Sequence, residues 1–182
     1  NRDGNREIYV MNADGTEPTN LTTHEFDEWE PVWSPDGSRI GFESDRHGRT
    51  SAWNFVMNAD GSEQEVLSSS SYINGDPTWS PGGEMIIFYS STGRLGNGDI
   101  SIMDAEGTVY VAWYGKYLNL TENGLGNRNP VWSPDGLQVA FASQRDGNGE
   151  IYVMGDDGAE QINVTNSPTE DDHPAWSPEG SW

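Results

Sequence analysis

The chain repeats itself. Pro31–Val32–Trp33–Ser34–Pro35–Asp36–Gly37 returns as Pro77–Thr78–Trp79–Ser80–Pro81–Gly82–Gly83, as Pro130–Val131–Trp132–Ser133–Pro134–Asp135–Gly136 and as Pro174–Ala175–Trp176–Ser177–Pro178–Glu179–Gly180. The leading prolines are 46, 53 and 44 residues apart. A unit of that length cannot bury its apolar face alone and must stack on its neighbours, as in a solenoid, an array or a propeller. A second repeat runs in phase. It begins as Ile8–Tyr9–Val10–Met11–Asn12–Ala13–Asp14–Gly15 and returns at Phe55–Gly61, Ile100–Gly107 and Ile151–Gly158.

Each unit reads as four short strands. The first carries the Trp of Pro-x-Trp and ends at the Ser-Pro-Asp-Gly turn. The second is an aliphatic–aromatic run such as Met85–Ile86–Ile87–Phe88–Tyr89. The third is the Ile-Tyr-Val-Met run. The fourth follows the Asp-Gly turn and ends near Asn20–Leu21–Thr22. Aromatic and β-branched residues suit strands. Pro presets a turn dihedral and Gly supplies the positive φ that closes it. No window holds a 3.6-residue apolar period, so almost no helix is expected. Four-stranded units at this spacing predict an all-β fold, a β-propeller of four-stranded antiparallel blades, about four of them in this chain.

The combination of Pro-x-Trp-Ser-Pro-Asp-Gly, the run from Arg2–Asp3–Gly4–Asn5 through Glu7–Ile8–Tyr9–Val10–Met11 to Asp14–Gly15–Thr16, and Asn-Leu-Thr resembles the TolB-like β-propeller repeat. The resemblance covers essentially the whole chain. It implies a bacterial or archaeal propeller, usually extracytoplasmic, that binds partners or sits as a non-catalytic domain beside a hydrolase or lyase. The motif is specific for fold and poorly specific for function.

Composition narrows the function classes. The formal net charge of −21 argues against nucleic acid, whose phosphates need Lys and Arg, and against anionic membrane surfaces. It suits a cationic partner or metal ions. Hydrophobic residues make up only 33%, and the eight Trp offset that thin aliphatic content by burying large areas each. There is no Cys, so disulfides and thiolate metal sites are excluded. No leader or membrane-spanning run is present, and the extracytoplasmic expectation rests on the resemblance.

The chain is expected to form a single domain over 1–182, with units 31–76, 77–129 and 130–173 complete and 1–30 and 174–182 partial. Unit 77–129 carries extra residues within Thr108–Leu118, including Trp113, Tyr114 and Tyr117. They read as a lengthened outer hairpin with cross-strand aromatic pairs or as a projecting partner loop. The first-strand segment at the end of the chain and the third strand at its start have no second strand between them. The expectation is a segment of a longer propeller, or a subunit whose open blade edges are completed by self-association; the runner-up is a closed four-bladed ring with one three-stranded blade.

Strand parity divides the loops. The Ser-Pro-Asp-Gly and Asn-Ala-Asp-Gly turns share one face. The other face takes the loops between second and third strands and the residues before each leading Pro, which vary between copies. Variable loops on a repeated scaffold carry specificity. The expected partner-binding set is Glu30, Asp76, Asn129 and His173, flanked by Asp27, Glu28, Asp171 and Asp172. With first strands innermost, as the resemblance implies, these line the mouth of the central channel, a polar and mostly acidic mouth suited to a cation, a basic peptide segment or a sugar; for any one of them a solvated loop rim is the competing reading.

Two further patterns were weighed. Asp3, Asn5 and Glu7, repeated as Asp146, Asn148 and Glu150, alternate oxygen side chains that could ligate Ca²⁺. The favoured reading is a Gly/Asn hairpin turn whose acid pairs with a nearby Arg, since the EF-hand spacing is missing. Asn20, Asn119 and Asn163 sit in Asn-x-Thr sequons at equivalent repeat positions, which reads as structural repetition or as N-glycosylation in a suitable host. No nucleophile motif is present, His24, His47 and His173 lie in separate loops, and no acidic pair stands out, so no enzyme activity is expected. The expected function is a non-enzymatic extracytoplasmic scaffold that binds a protein or peptide through the variable acidic face. The alternatives are the non-catalytic propeller of a peptidase or polysaccharide-degrading enzyme, and a structural subunit of an extracellular assembly.

Overall fold

The computed structural model describes residues 4–48, 52–67, 74–91, 98–106 and 117–180. Fourteen strands and no helix occur among them. β1 (Tyr9–Val10) and β2 (Thr19–Asn20) form a two-stranded antiparallel sheet. β3 (Glu28–Trp33), β4 (Arg39–Ser44), β5 (Trp53–Asn58) and β6 (Glu65–Val66) form a four-stranded sheet in sequence order. β7 (Asn74–Trp79), β8 (Met85–Ser91), β9 (Gly98–Asp104) and β10 (Leu118–Asn119) form the next. β11 (Arg128–Trp132), β12 (Gln138–Ser143), β13 (Glu150–Gly155) and β14 (Ile162–Asn163) form the last. Every pairing is antiparallel, as expected for propeller blades.

The turns close through side-chain chemistry. Ser34 Oγ donates to Asp36 at 2.7 Å and accepts the Arg39 backbone N–H at 2.9 Å, while Gly37 reaches φ 70°. Ser133, Asp135 and Gly136 repeat this arrangement. Ser34 and two bonds from Ser38 hold the exposed Asp36 carboxyl at about 2.

The core lies between sheets. Ile8 and Leu21 pack against Ile40, Phe42, Phe55 and Met57. Val56 and Leu67 pack against Trp79, Ile86, Phe88 and Met103. Ile87, Ile100, Ile102 and Leu120 pack against Val139, Phe141, Tyr152 and Met154. Ile86 and Phe88 face the preceding sheet and Ile87 the following one, so β8 reads as a continuous apolar run because both of its faces are covered. Each fully buried Phe or Ile contributes about 1.5–3 kcal/mol.

Sheets are also clasped at their rims. Gln64 Nε2 donates to Leu21 O at 2.9 Å, and Gln161 Nε2 to Leu120 O at 3.2 Å. Arg46 reaches Gln64 Oε1 at 2.9 Å and lies 4.7 Å from the Phe55 ring centroid; Arg145 repeats this on Gln161 and Tyr152.

The outward faces of the end sheets differ. Met11 is 63% exposed, whereas Met57, Met103 and Met154 are each 1% exposed at the same repeat position. Val164 is 43% exposed, against 2% for Leu67 and 6% for Leu120. Among the described residues no core cluster joins the last sheet to the first. Of the extra stretch in the third unit, Val109, Tyr110, Val111, Trp113 and Tyr114 lie outside the described residues. Tyr117 packs edge-on against Phe88, with centroids 5.3 Å apart.

Candidate functional site at the mouth of the blades

Glu30, Asp76, Asn129 and His173 have left-handed backbones, with φ of 47°, 52°, 52° and 54°. Few non-glycine residues adopt this region, and a following Pro biases its neighbour toward extended backbone. The explanation lies in the first strands. Pairing is interrupted between Trp29 and Val32, between Gly75 and Thr78, and between Arg128 and Val131. Each bulge holds a left-handed residue and its Pro, which has no N–H to contribute to the ladder. The three bulged segments and the His173–Pro174 segment, which lies in no strand, converge on one cavity of about 360 Å³, lined by these four residues, their prolines and Val32, Thr78 and Val131. The structure thus brings together Glu30, Asp76, Asn129 and His173 from four sequence-distant loops.

One member was not legible in the sequence. Glu43 on β4 is 5% exposed. Its carboxylate accepts Trp29 Nε1–H at 2.6 Å and the Asp76 backbone N–H at 2.7 Å. Gly75 makes room, because a Cβ there would stand 3.1 Å from Glu43 Oε1. Burial pushes the Glu43 carboxyl up to about 7, with the charges of Asp76 and Glu30 adding to the rise. Burial raises Asp76 as well, Glu30 adds to it, and the Asn129 backbone N–H opposes it. The equivalent positions on β8 and β12 are Tyr89 and Ala142, so the repeat pattern gave no signal for an acid.

The far side of the mouth is neutralised. Arg128 pairs with Asp172 at 3.0 Å, and Asn129 Nδ2 donates to the same carboxylate at 2.8 Å. Burial raises Asp172, but the His173 backbone N–H and Arg128 outweigh it and hold the carboxyl low. Asp76, Tyr89, Asn127, Arg128, Asn129 and Gln144 line a second cavity of about 370 Å³ beside the mouth.

Asp27, Glu28, Asp171 and Asp172 line neither of these two cavities, and Glu43 sits behind Asp76 without lining them. Asp27 accepts the Arg6 backbone N–H at 2.7 Å, and the Asp171 backbone N–H donates to Gly149 O at 2.7 Å. Glu28 is 1% exposed and pairs with Arg46 at 3.0 Å between two sheets.

The oxygen-rich loops are internally bonded. Asp3 lies outside the described residues. Asn5 Nδ2 donates to His24 O at 2.8 Å and to Glu7 at 3.1 Å, and Glu7 also accepts the His24 backbone N–H and the Thr22 hydroxyl. In the copy, Asn148 Nδ2 donates to Glu150 at 3.1 Å, Glu150 accepts the Thr165 hydroxyl, and Asp146 accepts the Tyr152 hydroxyl. Among the described residues no group of three or more His, Asp or Glu side chains is arranged to hold a metal. The sequon asparagines serve as turn braces: Oδ1 of Asn20, Asn119 and Asn163 accepts the backbone N–H of Thr22, Thr121 and Thr165.

A profile of the TolB beta propeller domain matches residues 1–112. An uncharacterized peptidase of Bacillus subtilis (strain 168), YuxL, is 34% identical over 73 residues, covering 40% of this chain and 11% of the relative. Crystal structures of TolB from Acinetobacter baumannii and a putative TolB from Agrobacterium tumefaciens superpose with TM-scores of 0.77 and 0.78 at 22% and 23% identity. Each alignment covers 96% of this chain, against 41% and 60% of those proteins, so the chain spans less than two thirds of the length of the relatives it matches. With the repeat, the sheet order and the profile in agreement, the chain belongs to the TolB beta-propeller family.

Proposed function

We propose that this propeller is a non-enzymatic, extracytoplasmic binding scaffold whose mouth takes a basic segment of a protein or peptide partner. The carrying observation is the cavity of about 360 Å³ onto which the four segments before the leading prolines converge. The acids in and beside it are unequally neutralised. Asp172 has Arg128, but among the described residues no arginine pairs with Glu30, Glu43 or Asp76. Burial is the main cause that raises Glu43 and Asp76, and a cationic side chain entering there would relieve the repulsion that adds to it. The placement outside the cytoplasm rests on family membership.

The test is binding of a fluorescently labelled arginine-rich peptide. Asp76→Lys is expected to abolish binding while leaving the melting curve of the protein in place, and added salt is expected to weaken binding to the native chain. If Asp36→Lys or Asp135→Lys on the opposite face removed binding and Asp76→Lys did not, the mouth assignment would fail.

A second reading follows from the likeness to a peptidase. In it the same mouth belongs to the non-catalytic propeller of a larger hydrolase and admits or holds substrate. A reading frame that carries a Ser-His-Asp domain beside this segment would favour that version.

A further inference from the structure

Glu28 is an acid where its sister repeat uses an amide. Asn127, at the same position three residues before the leading Pro, is fully buried. Arg145 Nη2 donates to its Oδ1 at 3.2 Å. Its Nδ2 lies within donating distance of Asn123 Oδ1 at 2.7 Å, Gly98 O at 3.0 Å, Thr121 Oγ1 at 3.2 Å and Asp99 Oδ1 at 3.3 Å. The junction between the first two sheets is built the same way. Arg46 Nη2 donates to Glu28 Oε1 at 3.0 Å, as Arg145 does to Asn127, and Ser44 Oγ adds a bond at 2.9 Å. Glu7 stands where Asp99 stands, and Thr22 where Thr121 stands. The amide donor is missing: Glu28 Oε2 is buried without a hydrogen-bond partner, and the Glu7 carboxyl is within side-chain reach of Glu28. Two neighbouring carboxylates, one of them on the 1% exposed Glu28, cannot both stay ionised cheaply.

We infer that folded Glu28 is held as the neutral acid and donates its proton to the Glu7 carboxylate, making the junction of the first two sheets a proton-dependent latch. The proton does there what the Asn127 amide does between the third and fourth sheets. The charged and titratable groups around Glu28 are Glu7 from the segment before β1, Arg46 from the loop after β4, and Asp27 and Asp45 at the crossover. Arg46 alone cannot neutralise both acids, because its one ion pair goes to Oε1. Burial raises Glu28 above the ordinary carboxylate range, while Arg46 and Ser44 pull the other way. A raised folded value means that the contribution of the latch is fully present below the unfolded value and is lost as pH rises through the folded one. Glu28 lies two residues before Glu30, so loosening the latch would reach the mouth along β3.

The experiment compares melting temperatures of the native chain and Glu28→Gln from about pH 5 to about pH 8 in metal-free buffer. Gln keeps the Oε1 acceptor for Arg46 and supplies a permanent donor toward Glu7. The two proteins should melt together at the acid end, and Glu28→Gln should gain roughly 2–4 °C or more at the alkaline end. A difference that does not change with pH, or a Gln variant that melts lower at alkaline pH, overturns the inference. Carboxyl ¹³C titration of the native chain gives a readout that needs no variant. Glu28 should keep its protonated shift well above the pH at which exposed glutamates ionise, and ionisation with the exposed set overturns the inference. An alkaline melting temperature raised by K⁺ or Ca²⁺ in the native chain but not in Glu28→Gln would place a cation between the acids and overturn it too.

Discussion

The backbone N–H of Asp76 donates to the Glu43 carboxylate at 2.7 Å, tying the first strand of one blade to the second strand of the blade before it. Glu43 is therefore buried beside a second acid, and its proton affinity becomes a property of the blade junction. Its folded value lies near 7, above the ordinary 4.5. The folded state thus binds the proton more tightly than the unfolded chain does. The stability from Glu43 is whole below about 4.5 and drains away as pH rises to about 7, a difference of roughly 3 kcal/mol at most. Chemical denaturation of native protein and Glu43→Ala across this range should show the pH slope shrinking in the variant. An unchanged slope would remove Glu43 as its source.

Gly61 and Gly158 should tolerate no side chain. Each has positive φ, and a Cβ would stand 2.8 Å from Leu21 O at Gly61 and 2.7 Å from Leu120 O at Gly158. Gly15 has a similar φ with open space around it. Gly15→Ala should lose only the backbone contribution, about 1–3 kcal/mol, while Gly61→Ala should lose clearly more because the contact between sheets must also open. Equal losses in urea melts would show that the contact relaxes freely.

Arg145 is expected to stabilise the last blade through four partners. It lies 4.2 Å from the Tyr152 ring centroid and bonds Gln161 at 2.7 Å, Ser143 at 3.0 Å and buried Asn127 at 3.2 Å. Arg145→Met should cost about 2–4 kcal/mol, mostly by leaving polar atoms unpaired, and Lys should rescue it only in part. Full rescue by Lys would reduce the role of this arginine to its charge.

The apolar end faces should drive association. Met11 and Val164 are exposed at positions that are buried between neighbouring blades elsewhere in the chain. Sedimentation of this 182-residue chain is expected to show concentration-dependent self-association. Val164→Asp should weaken it by about tenfold or more, since it places a charge in an apolar contact. A monomer at every concentration would mean that the faces do not complete one another.

The fourteen strands, their order and both turn types were legible in the sequence because they follow from local rules, whereas the first-strand motif at 174–176 forms no strand because among the described residues no second strand pairs with it. Trp33, Trp79, Trp132 and Trp176 mark the repeat, Asp36–Gly37 and Asp135–Gly136 close hairpins, and an alternation such as Ile86, Ile87 and Phe88 records a sheet buried on two faces. Even the meeting of Glu30, Asp76, Asn129 and His173 was within reach, since equal repeats place equal residues around one axis. Three features were decided only by the tertiary structure. The left-handed backbone before each leading Pro runs against the local bias of that residue pair, and at Glu30, Asp76 and Asn129 it sits in a bulge of the first strand. The contact of Glu43 with Asp76 joins residues 33 apart, and the meeting of Glu28 with Glu7 depends in the same way on how one sheet stacks upon the next. A sequence specifies which way each strand faces, but the burial and charge that a side chain meets across a blade junction are set by the neighbouring sheet.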